Sequence, residues 1–238
     1  MIHGICSTPR HFDFLVSEFD ENWAIYNILL DGHGGTVQDF SHTSMERWKA
    51  QTKEMLDRLS DRYDHILILG YSMGTLLSLW ALPNYPKVLG LLLLNPPMRP
   101  WVRFSMLKRS RRFTKGIVRQ EDPHEVACLR DIGVTLSSGI WQYLGWIPRF
   151  LELLRLCRYC RQKACIGTVP TYVHLGRRDE LVSLRSQKYF ADHPQITVRI
   201  ADEAGHFYFP EKDVEAVRAD LRALIEIVKF AKGETHGV

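Results

Sequence analysis

Apolar residues along this chain fall into dense short runs separated by stretches with helical period. His65-Ile66-Leu67-Ile68-Leu69 and Val88 to Leu94 are continuous rather than alternating, which predicts strands buried on both faces of a parallel sheet. Trp23 to Leu30, Pro170 to Gly176 and Ile196 to Ile200 read as further strands, whereas Met1 to Ser7 is too short to be a full one. Thr43-x-x-Glu46 has the form of a capping box and opens a helix with Met45, Trp48, Thr52, Met55, Leu56 and Leu59 on one face. A second helix is expected over Thr75 to Leu82. A last one carries Val214, Val217, Leu221, Leu224, Ile225 and Val228 on one side. Strands alternating with helices predict an α/β protein built on a parallel sheet.

Residues 97–166 interrupt that alternation. They contain no convincing strand, are basic and helical around Met106 to Arg119, and then turn apolar and aromatic through Trp141, Tyr143, Leu144, Trp146, Phe150, Leu151 and Leu154. Arg99 to Lys163 carries 14 Lys+Arg against 5 Asp+Glu, leaving 17 against 22 elsewhere. The segment follows the strand at 88–94, at the edge where open α/β sheets bind ligands. It is expected to form a helical cap on a core of residues 1–96 and 167–238. The plainer alternative is a set of crossover helices packed on the sheet.

Composition narrows the class without naming a chemistry. The 238 residues are 45% hydrophobic and 24% charged, ordinary values for a globular protein with a sizeable core. The longest apolar run is too short to cross a bilayer, and no basic-then-apolar leader opens the chain. Five cysteines form no disulfide pattern, so a reducing, cytoplasmic setting is expected. Cys157-x-x-Cys160 with Cys165 raises a metal site, but no paired histidine or second Cys-x-x-Cys accompanies it, and neither metal nor cofactor is expected. The basic segment reads as a solvated face, an attractor of anionic substrates or a membrane-surface patch. No nucleic-acid motif accompanies it, and no stable membrane insertion is expected.

The chemistry begins at Gly70-Tyr71-Ser72-Met73-Gly74, between a buried strand and a helix. Gly-x-Ser-x-Gly in that context is a nucleophile elbow, in which glycines two residues either side of the serine avoid collision with the adjoining strand and helix. A serine hydroxyl needs a base within hydrogen-bond reach, and the base needs an orienting carboxylate. Asp179, in the loop after the strand at 171–175, is preferred over its neighbour Glu180. Among ten histidines, His206 in Ala204-Gly205-His206-Phe207 lies between the last strand and the last helix. His3 and His33 are assigned to structure. The oxyanion donors are expected to be the backbone N–H groups of Met73, after the nucleophile, and of Ile5, in the loop after His3-Gly4.

His3-Gly4, Gly32-His33-Gly34, the elbow, Gly176-x-x-Asp179 and Gly205-His206, in that order, resemble the α/β-hydrolase superfamily. Within it the chain is similar to small bacterial carboxylesterases and monoacylglycerol lipases with a short helical cap. The resemblance implies a mostly parallel sheet flanked by helices and a two-step ester hydrolysis through an acyl-enzyme on a small-molecule ester. Ser72 would be the nucleophile, His206 the base and then acid, Asp179 the orienter, and Trp141, Leu144, Phe150 and Leu151 of the cap would line the acyl pocket. Relatives carry additional strands before the His-Gly, whereas only Met1-Ile2 precede it here, so either those strands are missing or the start of the chain is misassigned upstream. A thioesterase or amidase using the same three residues, and a non-catalytic binding module on the same fold, are the alternatives. Acyl length and oligomeric state are not fixed by the sequence.

Overall fold

The computed structural model describes residues 1–162 and 169–234, so Cys165 and the expected boundary at 166–167 lie outside the described residues. Four parallel strands stand side by side in chain order: β1 (Ile66–Tyr71), β2 (Val88–Leu94), β3 (Thr171–Gly176) and β4 (Ile196–Ala201). The continuous apolar runs have a simple cause, since the sheet is covered on both sides. Leu69, Tyr71, Leu92 and Leu94 face one layer, where the final helix α8 (Glu211–Glu234) lays down Val214, Val217, Leu221 and Leu224. Ile66, Ile68, Leu91, Leu93, Val173 and Leu175 face the other layer. That layer holds α3 (Met45–Arg62), α4 (Met73–Ala81) and α7 (Trp146–Gln162). β4 is an edge strand, and its Thr197 and Arg199 are exposed.

Register decides where the site forms. Tyr71 lies beside Leu94, and Leu94 beside His174, so the carboxyl ends of β1, β2 and β3 are nearly level. Whatever follows those strands meets at one rim.

Two local expectations are corrected. Trp23 to Leu30 is not a full strand: only Ile28 pairs, in a single parallel bridge with Ile2, which also bridges Gly70. Where the run ends, side chains take the place of ladder partners. The Leu30 N–H donates to His3 Nε2 (3.0 Å) and the Asp31 N–H to Gln51 Oε1 (2.7 Å). The helix cap at 43–46 is also shifted by one residue. Ser44 caps α3 by accepting from the Arg47 N–H, while Thr43 ends the preceding helix α2 (Val37–His42). The capping box itself sits earlier, between Thr36 and Asp39.

After α1 (Asp13–Val16), early in the chain, and the core helices, the inserted segment contributes α5 (Phe104–Phe113) and α6 (Pro123–Asp131). α5 stops short of Arg119 because Gly116, at φ +71°, turns the chain in the left-handed region. α7 belongs to the sheet layers, for its Leu153, Leu156, Cys157 and Cys160 are buried in the main core. It packs as a crossover helix, whereas α5 is joined to the loops at the strand ends by a buried ion pair and α6 by a buried hydrogen bond between an imidazole and a carboxylate. Arg109 of α5 meets Glu180 at 2.8 Å, and Asp131 of α6 meets His11 at 2.8 Å.

Candidate active site

Ser72 follows β1 with φ +49° and ψ −118°, a strained turn that projects its side chain off the strand end. Two close approaches require the flanking glycines. A Cβ on Gly70 would lie 2.8 Å from Thr75 Cα in α4, and one on Gly74 would overlap the carbonyl oxygen of Ile2. The turn is held by Ser72 N–H to Leu94 O (2.8 Å) and by Thr75 Oγ1–H to Ser72 O (2.6 Å).

The structure brings together the three side chains that the sequence singled out. Ser72 Oγ lies 3.1 Å from His206 Nε2, and His206 Nδ1 lies 2.7 Å from Asp179 Oδ2. A carboxylate only accepts, so Nδ1 carries the proton and Nε2 is left to accept from the serine hydroxyl. The other Asp179 oxygen accepts from the Leu181 and Val182 N–H groups, both at 2.7 Å. Asp179 is 1% exposed, His206 3% and Ser72 5%, so the chain of hydrogen bonds is shielded from water. Met73 is the first residue of α4, and its N–H is one of the donors that a helix start leaves unpaired. Gly4 packs so tightly on the serine that a Cβ there would lie 2.8 Å from Ser72 Cβ, which puts the Ile5 loop against the nucleophile.

That loop is braced by the two histidines assigned to structure. His33 Nε2 accepts the Cys6 N–H (3.1 Å), while His33 Nδ1 faces Leu30 O (3.1 Å). His3 Nδ1 faces the Gly4 carbonyl (2.8 Å). Both imidazoles are accordingly neutral: burial pulls His33 down to about 4, and burial with the neighbouring His33 pulls His3 down to about 3.

Several residues of the site carried no signal in the sequence. Asn95, buried at φ +50° after β2, donates from Nδ2 to the carbonyls of Gly205 (3.2 Å) and His206 (3.1 Å), and its Oδ1 accepts the Gly176 N–H (2.9 Å). One amide thus ties the loop of His206 to the strand end that leads to Asp179. Tyr71 donates to the His206 carbonyl (3.1 Å) and stacks on His11 with ring centroids 3.4 Å apart. Burial holds His11 below its ordinary value despite its bond to Asp131, and Asp131 stays below the carboxylate range because His11 and Arg130 outweigh its own burial. Glu180 Oε2 accepts the His206 N–H at 3.4 Å while Oε1 takes Arg109. Gly133, after α6, donates to Cys6 O and accepts from the Gly34 N–H, joining the inserted segment to both loops beside the serine.

Trp141, Leu144, Phe150 and Leu151 all stand largely in solvent. They are 78, 55, 41 and 49% exposed, so they do not enclose a buried acyl pocket. The inner face of α7 is already occupied by core residues, which turns Phe150 and Leu151 outward. Cys157 and Cys160 are on the inner face, and burial pushes the Cys157 thiol up to about 12. Among the described residues no three His, Cys, Asp or Glu side chains are clustered to share a metal ion.

A strand–elbow–helix with a buried serine, an imidazole and a carboxylate at the carboxyl end of a parallel sheet defines a class, the hydrolases of the α/β type. The family model for the alpha/beta hydrolase family matches residues 1–220, and the chain belongs to that family. Over 96 residues it is 27% identical to a thermostable monoacylglycerol lipase of Bacillus sp. (strain H-257), a match spanning 40% of this chain and 38% of that protein. The fold is similar to a structure of the metagenome-derived lipolytic enzymes LipS and LipT, with TM-score 0.70, 17% identity and 94% and 91% of the two chains covered. It is also similar to the Paleococcus ferrophilus monoacylglycerol lipase, with TM-score 0.63, 16% identity and 95% and 93% covered.

Proposed function

We propose that the protein is a serine carboxylic-ester hydrolase, of carboxylesterase or monoacylglycerol lipase type, working through an acyl-enzyme. The observation that carries this reading is the hydrogen-bonded chain from Ser72 Oγ through the His206 ring to Asp179. Ser72 Oγ attacks the acyl carbon as its proton passes to His206 Nε2, and the ionised Asp179 stabilises the imidazolium. The oxyanion that forms is met by the Met73 and Ile5 N–H groups, fixed donors that need no rearrangement. Collapse expels the alcohol, which takes the proton back from Nε2. Water, deprotonated by the same nitrogen, then attacks the acyl carbon, and collapse releases the acid as Nε2 returns the proton to the departing Ser72 Oγ. The names of the Bacillus and Paleococcus relatives favour glycerol monoesters as substrates. In this reading residues 97–145, with α5 and α6, form the cap.

Ser72→Ala, checked for an unchanged circular dichroism spectrum, is expected to lower turnover of aryl and glyceryl esters by about 10⁴-fold or more. Retained turnover in the folded variant would overturn the reading. An ester and a thioester of matched acyl length, compared on the wild-type protein, identify the leaving group.

A further inference from the structure

α7 is apolar on two faces, and only one of them is covered. Leu153, Leu156, Cys157 and Cys160 are buried in the core. Ile147, Phe150, Leu151 and Leu154 recur at the i, i+3, i+4, i+7 spacing of one face and remain 41 to 54% exposed. The 3-10 turn that leads into the helix adds Trp141 and Leu144, both exposed. A contiguous stripe of large apolar side chains in water marks an interaction surface.

The charges around the stripe say what it meets. Between Trp141 and Gln162 there are four arginines and one glutamate. Arg149 bonds the Ser41 and Thr43 carbonyls and Glu152, whose other oxygen accepts the Met45 N–H, and Arg161 bonds Met98 O. Arg155 and Arg158 remain exposed, with no ion pair among the described residues, one helical turn beyond Leu151 and Leu154. The stripe therefore continues into unmatched positive charge and presents no free carboxylate. Its aliphatic members offer no directional hydrogen bond, which suits a fluid hydrocarbon boundary better than a shaped protein pocket. Trp141 is the kind of amphipathic ring that sits at headgroup level.

Position adds a reason for such a surface to exist. Trp146, at the start of α7, donates its indole N–H to Val37 O (3.0 Å) in α2, which follows the His33 turn. That turn holds Cys6 and hence the loop against Ser72. The amino end of the stripe is thus anchored to the same group of loops that surrounds the site.

We propose that the outer face of α7 and the turn before it dock the protein on an anionic lipid surface, with the helix lying along the interface and Arg155 and Arg158 against the headgroups. This is surface docking, since no helix among the described residues is long and apolar enough to cross a membrane. The docking is separate from hydrolysis and does not need Ser72.

The test is flotation of the whole protein with vesicles of phosphatidylcholine, alone or with about 30% phosphatidylglycerol, at about 0.1 M salt. Wild type and Ser72→Ala are expected to float equally with the anionic vesicles and much less with the neutral ones. Ile147→Ser combined with Leu154→Ser is expected to weaken anionic-vesicle binding by about tenfold or more, and Arg155→Glu combined with Arg158→Glu by a similar factor. Both are exposed sites, so unchanged dichroism and melting confirm folding. Absence of wild-type binding, or binding indifferent to both variants, would overturn the proposal. So would a concentration-dependent dimer, seen by sedimentation, that the apolar variant abolishes, because a second copy would then cover the face.

Discussion

Acid should unfold this protein well above the carboxylate range, through the two imidazoles that brace the loop beside Ser72. Each has an ordinary value of 6.5, pulled to about 3 for His3 and about 4 for His33 in the folded chain. Below pH 6.5 the unfolded chain takes up a proton at each position while the folded chain does not. The stability they contribute is therefore complete above 6.5 and is lost as pH falls. Taking the protein from pH 7 to pH 5 costs about 1.9 kcal/mol per imidazole, or about 4 kcal/mol for the pair. His11, also held down by burial, adds in the same direction. Asp131 and Asp220 lie below 3.8 when folded and ordinarily titrate near it, so they contribute little above pH 5. Urea unfolding curves at pH 7, 6 and 5 read the loss directly, with the slope against denaturant checked for constancy. His33→Gln should reduce the pH-dependent part by about 2 kcal/mol. A wild-type loss below about 1 kcal/mol over those two pH units would refute the neutral, buried assignment of both rings.

Three substitutions test the parts of the site that hold rather than react. Asn95→Asp turns two donated hydrogen bonds into a carboxylate facing the carbonyls of Gly205 and His206, and should lower stability by about 2–4 kcal/mol and ester turnover by more than tenfold. Denaturation and initial-rate assays check it. Arg109→Met leaves Glu180 buried without its cation and should cost about 3–5 kcal/mol in urea unfolding, with Arg109→Met/Glu180→Gln recovering most of the loss. Gly133→Ala drives a methyl into the Ser7 carbonyl, so labelling of Ser72 by a fluorophosphonate should slow with the melting temperature depressed; labelling at the wild-type rate would contradict the packing.

The residues at the reacting end were legible because each announces itself locally. Ser72 stands in a glycine-flanked corner, while Asp179 and His206 stand in loops that directly follow strands, and parallel register does the rest. What supports them was not legible. Arg109 and Glu180 are 71 residues apart, and His11 and Asp131 are 120 apart, so no spacing in the sequence relates them. Asn95 gave no signal because the partners of an amide are invisible before the strands are aligned. Trp23 to Leu30 has strand composition, yet side chains of His3 and Gln51 take N–H groups that a ladder would have used. Phe150 and Leu151 fall on the exposed face of α7 for a different reason. Helical period shows that α7 has apolar faces but does not say which of them the core covers.

The ion pair that fastens α5 has a thermal consequence. Charged groups lose hydration free energy on warming, so the penalty for keeping Arg109 and Glu180 away from water shrinks as temperature rises. Its grip on the loop around His206 then weakens less on heating than its cost at room temperature implies, and that part of the rim should stay assembled close to the temperature at which the sheet itself melts.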